Sequence, residues 1–246
     1  MSGSDAGRLA EPYQHRSDEP HVAPNRPLSQ GDVFLNIPLV GGAAADPRHE
    51  GVWRAKARAG PGLFITHPCG SRSSTTYRLH PYVSVAPVVK CPPAWGPPWN
   101  GHYDLAPLPD LLNGEDYVAK LGEACPVPSA ALDGQRIAVL TVEGLETLFH
   151  RLAMNSLRFP ETPMHYSVEA ARVTHEIDLW ERWITKCGSE DGFQEWLDQP
   201  FEGQPRENAA GTVIAGSQQP TGGPRRGVLA WNYEELCDEL DSTACP

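Results

Sequence analysis

The sequence predicts an α+β protein in which a small β-barrel precedes a group of helices. Residues 28–140 contain short apolar or β-branched runs between Gly/Pro turns, which is typical of a small barrel rather than of βαβ units. Residues 141–200 place apolar side chains at helical spacing. The net charge also changes sign along the chain. Residues 27–100 contain seven Lys/Arg and three Asp/Glu, whereas residues 101–246 contain ten Lys/Arg and twenty-four Asp/Glu.

The composition limits the ordered part of the chain. Of the 246 residues 40% are hydrophobic, which is enough for a core, but 25 Pro and 23 Gly make up nearly a fifth. Residues 1–27 are polar and residues 201–246 are acidic, and both lack sustained periodicity, so we predict a disordered leader and a flexible tail. No apolar run is close in length to a membrane-spanning helix, which needs about 20 residues, and the leader does not resemble a signal peptide. We therefore predict a cytoplasmic protein with no membrane partner.

The barrel is predicted from apolar runs that end at turn residues. They cover residues 33–40, 52–58, 63–66, 82–89 and 136–140. Gly60-Pro61-Gly62 predicts a turn between the second and third strands. The Pro- and Trp-rich residues 91–110 predict either an extended polyproline segment that packs on the barrel or a ligand for a proline-recognising module.

Helices follow the predicted barrel. Thr141 is the predicted N-cap of the first helix, whose apolar stripe contains Leu145, Leu148 and Phe149 and which ends at Pro160. A second helix is predicted from about residue 167 to 186, and a short third one ends before Pro200. Residues 232–240 predict a terminal acidic amphipathic helix. The predicted division is thus a barrel over 28–140, helices over 141–200 and the tail.

Six cysteines are scattered without a C-x-x-C pair, and we expect reduced thiols. His67, Cys69, His80 and Cys91 carry zinc-type ligand atoms, but their spacing fits no compact ligand pattern, so no metal site is predicted. The sequence contains no Walker loop, dinucleotide fingerprint, G-x-S-x-G elbow or H-E-x-x-H, and no cofactor is predicted.

The order of three segments resembles the MazF/PemK toxin family over about residues 28–90. The segments are Gln30-Gly31-Asp32-Val33-Phe34, residues 62–68 and residues 83–88. The resemblance implies an SH3-like barrel that cleaves single-stranded RNA. The cleaving pair in that family is an Arg just before the central strand and a Thr or Ser just after the Pro of the later strand.

The resemblance assigns the first of these roles to Arg58, but Val89 stands where the hydroxyl is expected. Proton transfer at the ribose would then need another group, and Thr66, Ser84 or His67 could supply it. A separate hypothesis makes Cys69 a nucleophile, with His67 as its base and Arg72 lowering its pKa. The alternative for this segment is a buried Cys and a loop His that close the barrel.

Basic side chains in the barrel predict an anion site. Cations neutralise phosphates while aromatic rings stack on bases, so the set could line a groove around Trp53 and Tyr77. The predicted RNA-binding set is Arg54, Lys56, Arg58, Arg72 and Arg78. The alternative is that alternating basic residues on an edge strand only prevent edge-to-edge aggregation.

Two functions follow from these patterns. The first is a MazF/PemK-like module that binds single-stranded RNA, with cleavage as a further step, and that is regulated by its acidic helical half. The second is a non-catalytic module that binds a protein partner through a degenerate SH3-like barrel and the Pro/Trp segment. Val89 favours the second function, and neither pattern determines the oligomeric state.

Overall fold

A computed structural model describes residues 13–15, 26–50, 53–73, 78–92, 102–157, 163–201 and 224–246. Within these ranges the protein is α+β, as predicted. No helix in them has the length and hydrophobicity to cross a membrane. The chain divides into two compact units, of which the first is Met1–Pro24 with Leu28–Tyr166 and the second is Asn25–Pro27 with Ser167–Pro246.

The first unit is built on an antiparallel sheet. Its strands are β1 (Tyr13–His15), β2 (Asp32–Ala45), β3 (Trp53–Phe64), β4 (Tyr82–Lys90), β5 (Leu105–Leu112), β6 (Glu115–Lys120), β7 (Cys125–Pro128) and β8 (Arg136–Leu140). They follow the order β1-β8-β2-β3-β4-β6-β5, and β7 pairs with β4. Among the described residues no pair joins the two ends of this path, so the sheet is open. The unit also contains the short helix α1 (Pro68–Ser71) and the helix α2 (Val142–Leu157).

The predicted turn at Gly60-Pro61-Gly62 is wrong, because β3 runs through it as a continuous strand. A Cβ on Gly62 would lie 2.4 Å from Ile37 Cδ1 and 2.5 Å from Val85 Cγ1, so glycine lets β2 and β4 pack closely on β3. The register between Gly60 and Gly62 shifts at a bulge in β2, and Pro61 has no partner there. Its missing N–H therefore removes no bond from the ladder.

The start of β2 is fixed by a buried polar turn. Asp32 is fully buried, and its Oδ2 lies 3.0 Å from Arg136 Nε and accepts a 3.0 Å hydrogen bond from the Ser29 N–H. Gly31 has a φ of 91°, and a Cβ there would lie 2.6 Å from Leu145 Cδ2. Gly31 and Asp32, which carry part of the family resemblance, therefore join β2 to β8 and α2.

Helix α2 belongs to the strand-containing unit. Thr141 is its N-cap as predicted, because Thr141 Oγ1 accepts a 3.1 Å hydrogen bond from the Gly144 N–H. The helix contacts β5 and β8. The division between the units therefore falls between Tyr166 and Ser167 rather than after residue 140.

The strands β5, β6 and β7 lie outside the segments predicted as strands. Asn113 and Gly114, with φ of 55° and 71°, form the turn between β5 and β6. Two successive positive φ values are typical of a type I′ hairpin turn, and an Asn-Gly dipeptide is its common signal. Part of the predicted polyproline segment is thus strand, whereas residues 93–101 lie outside the described ranges.

The second unit is helical and has an aromatic core. Its helices are α3 (Pro163–Cys187, from Ser167 onward), α4 (Phe193–Asp198) and α5 (Tyr233–Ser242). Trp180, Trp183, Phe193 and Trp196 pack together in the core. The acidic helix predicted over 232–240 is confirmed. The flexible tail is wrong for residues 224–246, because α5 buries Leu236 and Leu240 in this core.

The disordered leader is wrong at two places. The strand β1 pairs with β8. Arg26, only 6% exposed, lies in the second unit, where its Nη1 is 2.5 Å from Asp178 Oδ1 and 3.2 Å from Glu181 Oε2. These two stretches are ordered because one completes a ladder and the other pairs a buried charge.

The prediction of reduced thiols is wrong for one pair, since Cys187 and Cys245 form a disulfide with Cα atoms 5.5 Å apart. Beside it, Lys186 Nζ donates 2.8 Å hydrogen bonds to the carbonyls of Leu240 and Asp241. These bonds hold the end of α5 against the end of α3, which brings the two cysteines together. Among the described residues Cys91, Cys125 and Cys237 are free thiols.

Gly62→Ala is expected to destabilise the first unit by about 2 kcal/mol, because the added methyl group overlaps Ile37 and Val85. Chemical denaturation monitored by circular dichroism measures the change. Gly41→Ala is the matched control, since nothing lies within 4 Å of a Cβ on that exposed strand residue. Equal stability of the two variants would contradict the close packing at Gly62.

Cys245→Ser is expected to lower the stability of the second unit by up to about 4 kcal/mol, because the bridge closes a segment with a sequence separation of 58. Thermal denaturation of oxidised and reduced wild-type protein, alongside the variant, tests this. Reductant should lower the melting temperature of the wild type and leave that of the variant unchanged. An identical response of both would show that the bridge does not form.

Candidate nucleic-acid interface

The far part of the β2–β3 hairpin is a two-stranded ribbon, which we define as residues 38–45 and 53–60. The pairs between β3 and β4 end at Gly62 and Pro87, and those between β2 and β8 end at Phe34. Beyond these points the described strands pair only β2 with β3. Among the described residues both outer edges of the ribbon are therefore free of strand pairing.

One face of the ribbon carries three cations, Arg54, Lys56 and Arg58. They alternate with Ala55, Ala57 and Ala59, so they project to the same side of β3. All six residues are exposed. On β2 the register partner of Lys56 is Gly41, which has no side chain, and that of Arg58 is Leu39, which is buried.

The tip of the hairpin is organised by Asp46. Its Oδ1 accepts a 2.9 Å hydrogen bond from the Arg48 N–H, and its Oδ2 accepts one of 2.8 Å from Arg54 Nε. His49 Nδ1 lies 3.2 Å from the same Oδ2. The backbone hydrogen bond from Arg48 is the main reason why the pKa of Asp46 lies below its usual value, and His49 and Arg54 add to it. Arg54 is thus held in place, yet its side chain remains 61% exposed.

Lys56 and Arg58 differ from Arg54 in this respect. In the part of the chain that the structure describes, no acidic side chain forms an ion pair with either residue. No Asp or Glu occurs in the sequence between Glu50 and Asp104. The two cations are therefore available to an external anion.

The other predicted site residues lie at the opposite end of β3, in the connection to β4. Thr66 Oγ1 accepts a 2.7 Å hydrogen bond from the Ser84 N–H, so its hydroxyl extends the pairing of β3 with β4. The His67 carbonyl accepts hydrogen bonds from the N–H groups of Gly70 and Ser71 and thereby closes α1. The backbone of Cys69 lies in α1, but its side chain is outside what the structure describes.

The two remaining predicted cations also lie in this connection. Arg72 is half-buried, and its Nη2 donates a 3.4 Å hydrogen bond to the Leu28 carbonyl. Arg78 is exposed, and its carbonyl accepts a 2.9 Å hydrogen bond from the Ser73 N–H. Of the aromatic residues predicted to line the groove, Tyr77 falls outside the described ranges, and Trp53 is described only through its backbone in β3.

Arg58 lies apart from Thr66 and His67, two of the other predicted catalytic residues. Arg58 precedes Phe64, the last residue of β3, by six positions, which is roughly 20 Å along a strand. Thr66 and His67 lie beyond Phe64, whereas proton transfer to one scissile bond needs groups within about 3 Å of it. Val89 packs with Leu105, Val118 and Cys91, so an apolar contact occupies the position where the resemblance expects a hydroxyl.

Nothing in the described residues contradicts the predictions of no metal and no cofactor. Among the described residues no three or more His, Cys, Asp or Glu side chains are grouped as a metal site would require. Burial raises the pKa of the Cys91 thiol, which keeps it protonated near neutral pH.

Tyr82 is not among the predicted site residues, yet this strand residue is 64% exposed. The alternation of Tyr82-Val83-Ser84-Val85 was the signal, because buried Val83 and Val85 turn the intervening side chains outward. Arg78 and His80, both exposed, precede it within four residues.

Comparison with known proteins adds no family to these observations. The chain matches no family model, and no curated protein matches its sequence. The resemblance to the MazF/PemK toxins therefore depends on its three short segments alone.

Asp46 is expected to stabilise the hairpin tip above about pH 4 and to lose this effect at lower pH. The pKa of Asp46 in the folded state lies below the roughly 3.9 of a free aspartate, so protonation of its carboxylate disfavours the folded tip. NMR titration of the Asp46 carboxyl carbon gives the midpoint directly. In Arg54→Ala the midpoint should rise toward the free value, and an unchanged midpoint would remove Arg54 from the network.

Proposed function

We propose that the protein binds single-stranded RNA through the basic ribbon, and that its first unit is a MazF/PemK-like, SH3-like barrel. The proposal depends on one observation, the exposed row of Arg54, Lys56 and Arg58 on one face of the ribbon. Cations at alternate positions along about 13 Å of strand can contact successive phosphates of one chain, and the release of counterions favours such binding.

The charge distribution favours a local anion site. The whole chain carries a formal charge of −11, which opposes general adsorption to nucleic acid. No acid lies between Glu50 and Asp104 in the sequence, so β3 itself carries only cations, and Asp46 at the hairpin tip is already bonded to Arg54. The choice of RNA and of a single strand comes from the family resemblance, whereas the ribbon itself supports binding to a polyanion.

The proposal does not include cleavage. Arg58 lies in the middle of β3, whereas the candidate substitutes Thr66 and His67 follow the end of that strand, and the Thr66 hydroxyl takes part in the sheet. Binding needs only accessible cations, whereas transfer of two protons needs an acid and a base at the same phosphate. The predicted ribonuclease activity therefore stays a prediction.

Regulation by the acidic helical half also stays a prediction. Several of its carboxylates already serve cations within the second unit. Arg225 donates to Glu239, and Arg226 donates to Glu176 and to Asp198. A buried guanidinium needs such partners, so part of the acidic charge has a structural use.

Lys56→Ala and Arg58→Ala are each expected to weaken binding of the full chain to a labelled single-stranded RNA. Each should reduce the slope of log K against log salt by about 0.7, the value for one phosphate contact on a single strand. Fluorescence anisotropy at several salt concentrations measures both effects. Lys90→Ala is the matched control, because Lys90 lies on β4 and its Nζ is 2.5 Å from Glu115 Oε1.

The proposal would be overturned if the wild-type protein did not bind RNA at low salt. It would also be overturned if the Lys56 and Arg58 variants bound RNA as the wild type does. Either outcome would leave the three cations as protection of an open strand edge. Incubation of the same RNA with the wild type, followed by electrophoresis, tests cleavage separately.

A further inference from the structure

Tyr82 lies on an exposed sheet face that the ribbon does not explain. Its ring is 64% exposed, more than any other large hydrophobic side chain in the described ranges. In the register between β4 and β7 it lies opposite Pro128, and Ser84 lies opposite Pro126. Both prolines are exposed, so a ring and two flat pyrrolidines share one outward face.

The face rests on a fixed backbone. Val83 and Val85, on either side of Ser84, are buried in the core of the first unit with Val127. The segment before Tyr82 is tied down by a 2.8 Å hydrogen bond from the His80 N–H to the Ser71 carbonyl. The Ser129 N–H donates a 3.0 Å bond to the Pro81 carbonyl on the other side. An aromatic ring on such a support loses little entropy when a planar ligand stacks on it.

The segment before Tyr82 and the neighbouring strand β7 contain no acidic residue. Arg78 and His80 are exposed within four residues of it, and β7 contains no charged residue. The acid-free stretch between Glu50 and Asp104 includes β4 and the whole connection from β3. An exposed aromatic ring next to a cation, without competing carboxylates on its own segment, matches the way in which proteins bind single-stranded nucleic acid.

We propose that Tyr82 is a stacking platform for one base of a single-stranded RNA and that Arg78 contacts a neighbouring phosphate. This inference rests on the proposed function, and it adds base contact to the phosphate contact of the ribbon. Affinity at the ribbon depends on charge alone, whereas affinity at Tyr82 depends on the presence of a base.

The experiment compares two probes, a labelled oligouridylate and labelled heparin, which is a polyanion without bases. Tyr82→Ala in the full chain should weaken oligouridylate binding roughly tenfold and leave heparin binding unchanged. Tyr82→Phe should keep wild-type affinity because it retains the ring. Tyr103→Ala is the matched control, since Tyr103 is also an exposed aromatic residue, at 42%, and its ring faces Arg151 at 5.5 Å.

The outcomes separate this inference from the function on which it rests. Absence of RNA binding by the wild type would overturn both. RNA binding that depends on Lys56 and Arg58 but not on Tyr82 would overturn the stacking platform alone. Equal losses of RNA and heparin binding in Tyr82→Ala would also overturn it, because a stacking contact does not act on heparin. Binding of a labelled proline-rich peptide that requires Tyr82, with unchanged RNA binding, would assign the face to a protein partner instead.

Discussion

The first unit depends on the contact at Gly62, where Ile37 and Val85 approach the backbone of β3 from two strands. The contact places β2, β3 and β4 in one packed region around Phe34, Phe64 and Val85. The pairs of β3 with β4 stop there, while β2 and β3 continue together. The ribbon is what remains of the hairpin beyond the packed region, so the position of the three cations follows from where the core ends.

The charge segregation seen in the sequence has two different explanations. In the first unit Arg54 is bonded to Asp46, whereas Lys56 and Arg58 are exposed and form no ion pair among the described residues, which suits a ligand of opposite charge. In the second unit many acids pair with Arg26, Arg225 and Arg226, two of which are buried. The guanidinium of Arg225 also lies 4.8 Å from the centroid of the Trp196 ring. Those acids contribute to the fold of the helical unit, so a net charge alone did not identify a binding surface.

The cations of the ribbon lie apart from Thr66 and His67, the candidate groups for proton transfer, and for this reason we propose binding of RNA without its cleavage. A row of cations on a strand and an exposed tyrosine at the far end of the neighbouring strand are both suited to holding an extended nucleic acid. A cleaving site would need Arg58 and a proton-transferring side chain at the same phosphate. The part of β3 that follows Arg58 separates it from Thr66 and His67. The Thr66 hydroxyl, which a cleavage mechanism could use, instead extends the pairing of β3 with β4.

The sequence by itself determined the elements whose signals are local. The apolar spacing of α2 and the side chain of Thr141 identified that helix and its start, and the alternation around Val83 identified β4. Tertiary structure decided the rest. Gly60-Pro61-Gly62 forms a strand because Ile37 and Val85 require a residue without Cβ, and these partners are more than 20 positions away. The Cys187–Cys245 bridge and the placement of α2 with the strands likewise join distant residues. Periodicity indicates which face of an element is buried, but not which distant element covers it. The exposure of Lys56, Arg58 and Tyr82 depends on which elements cover their strands.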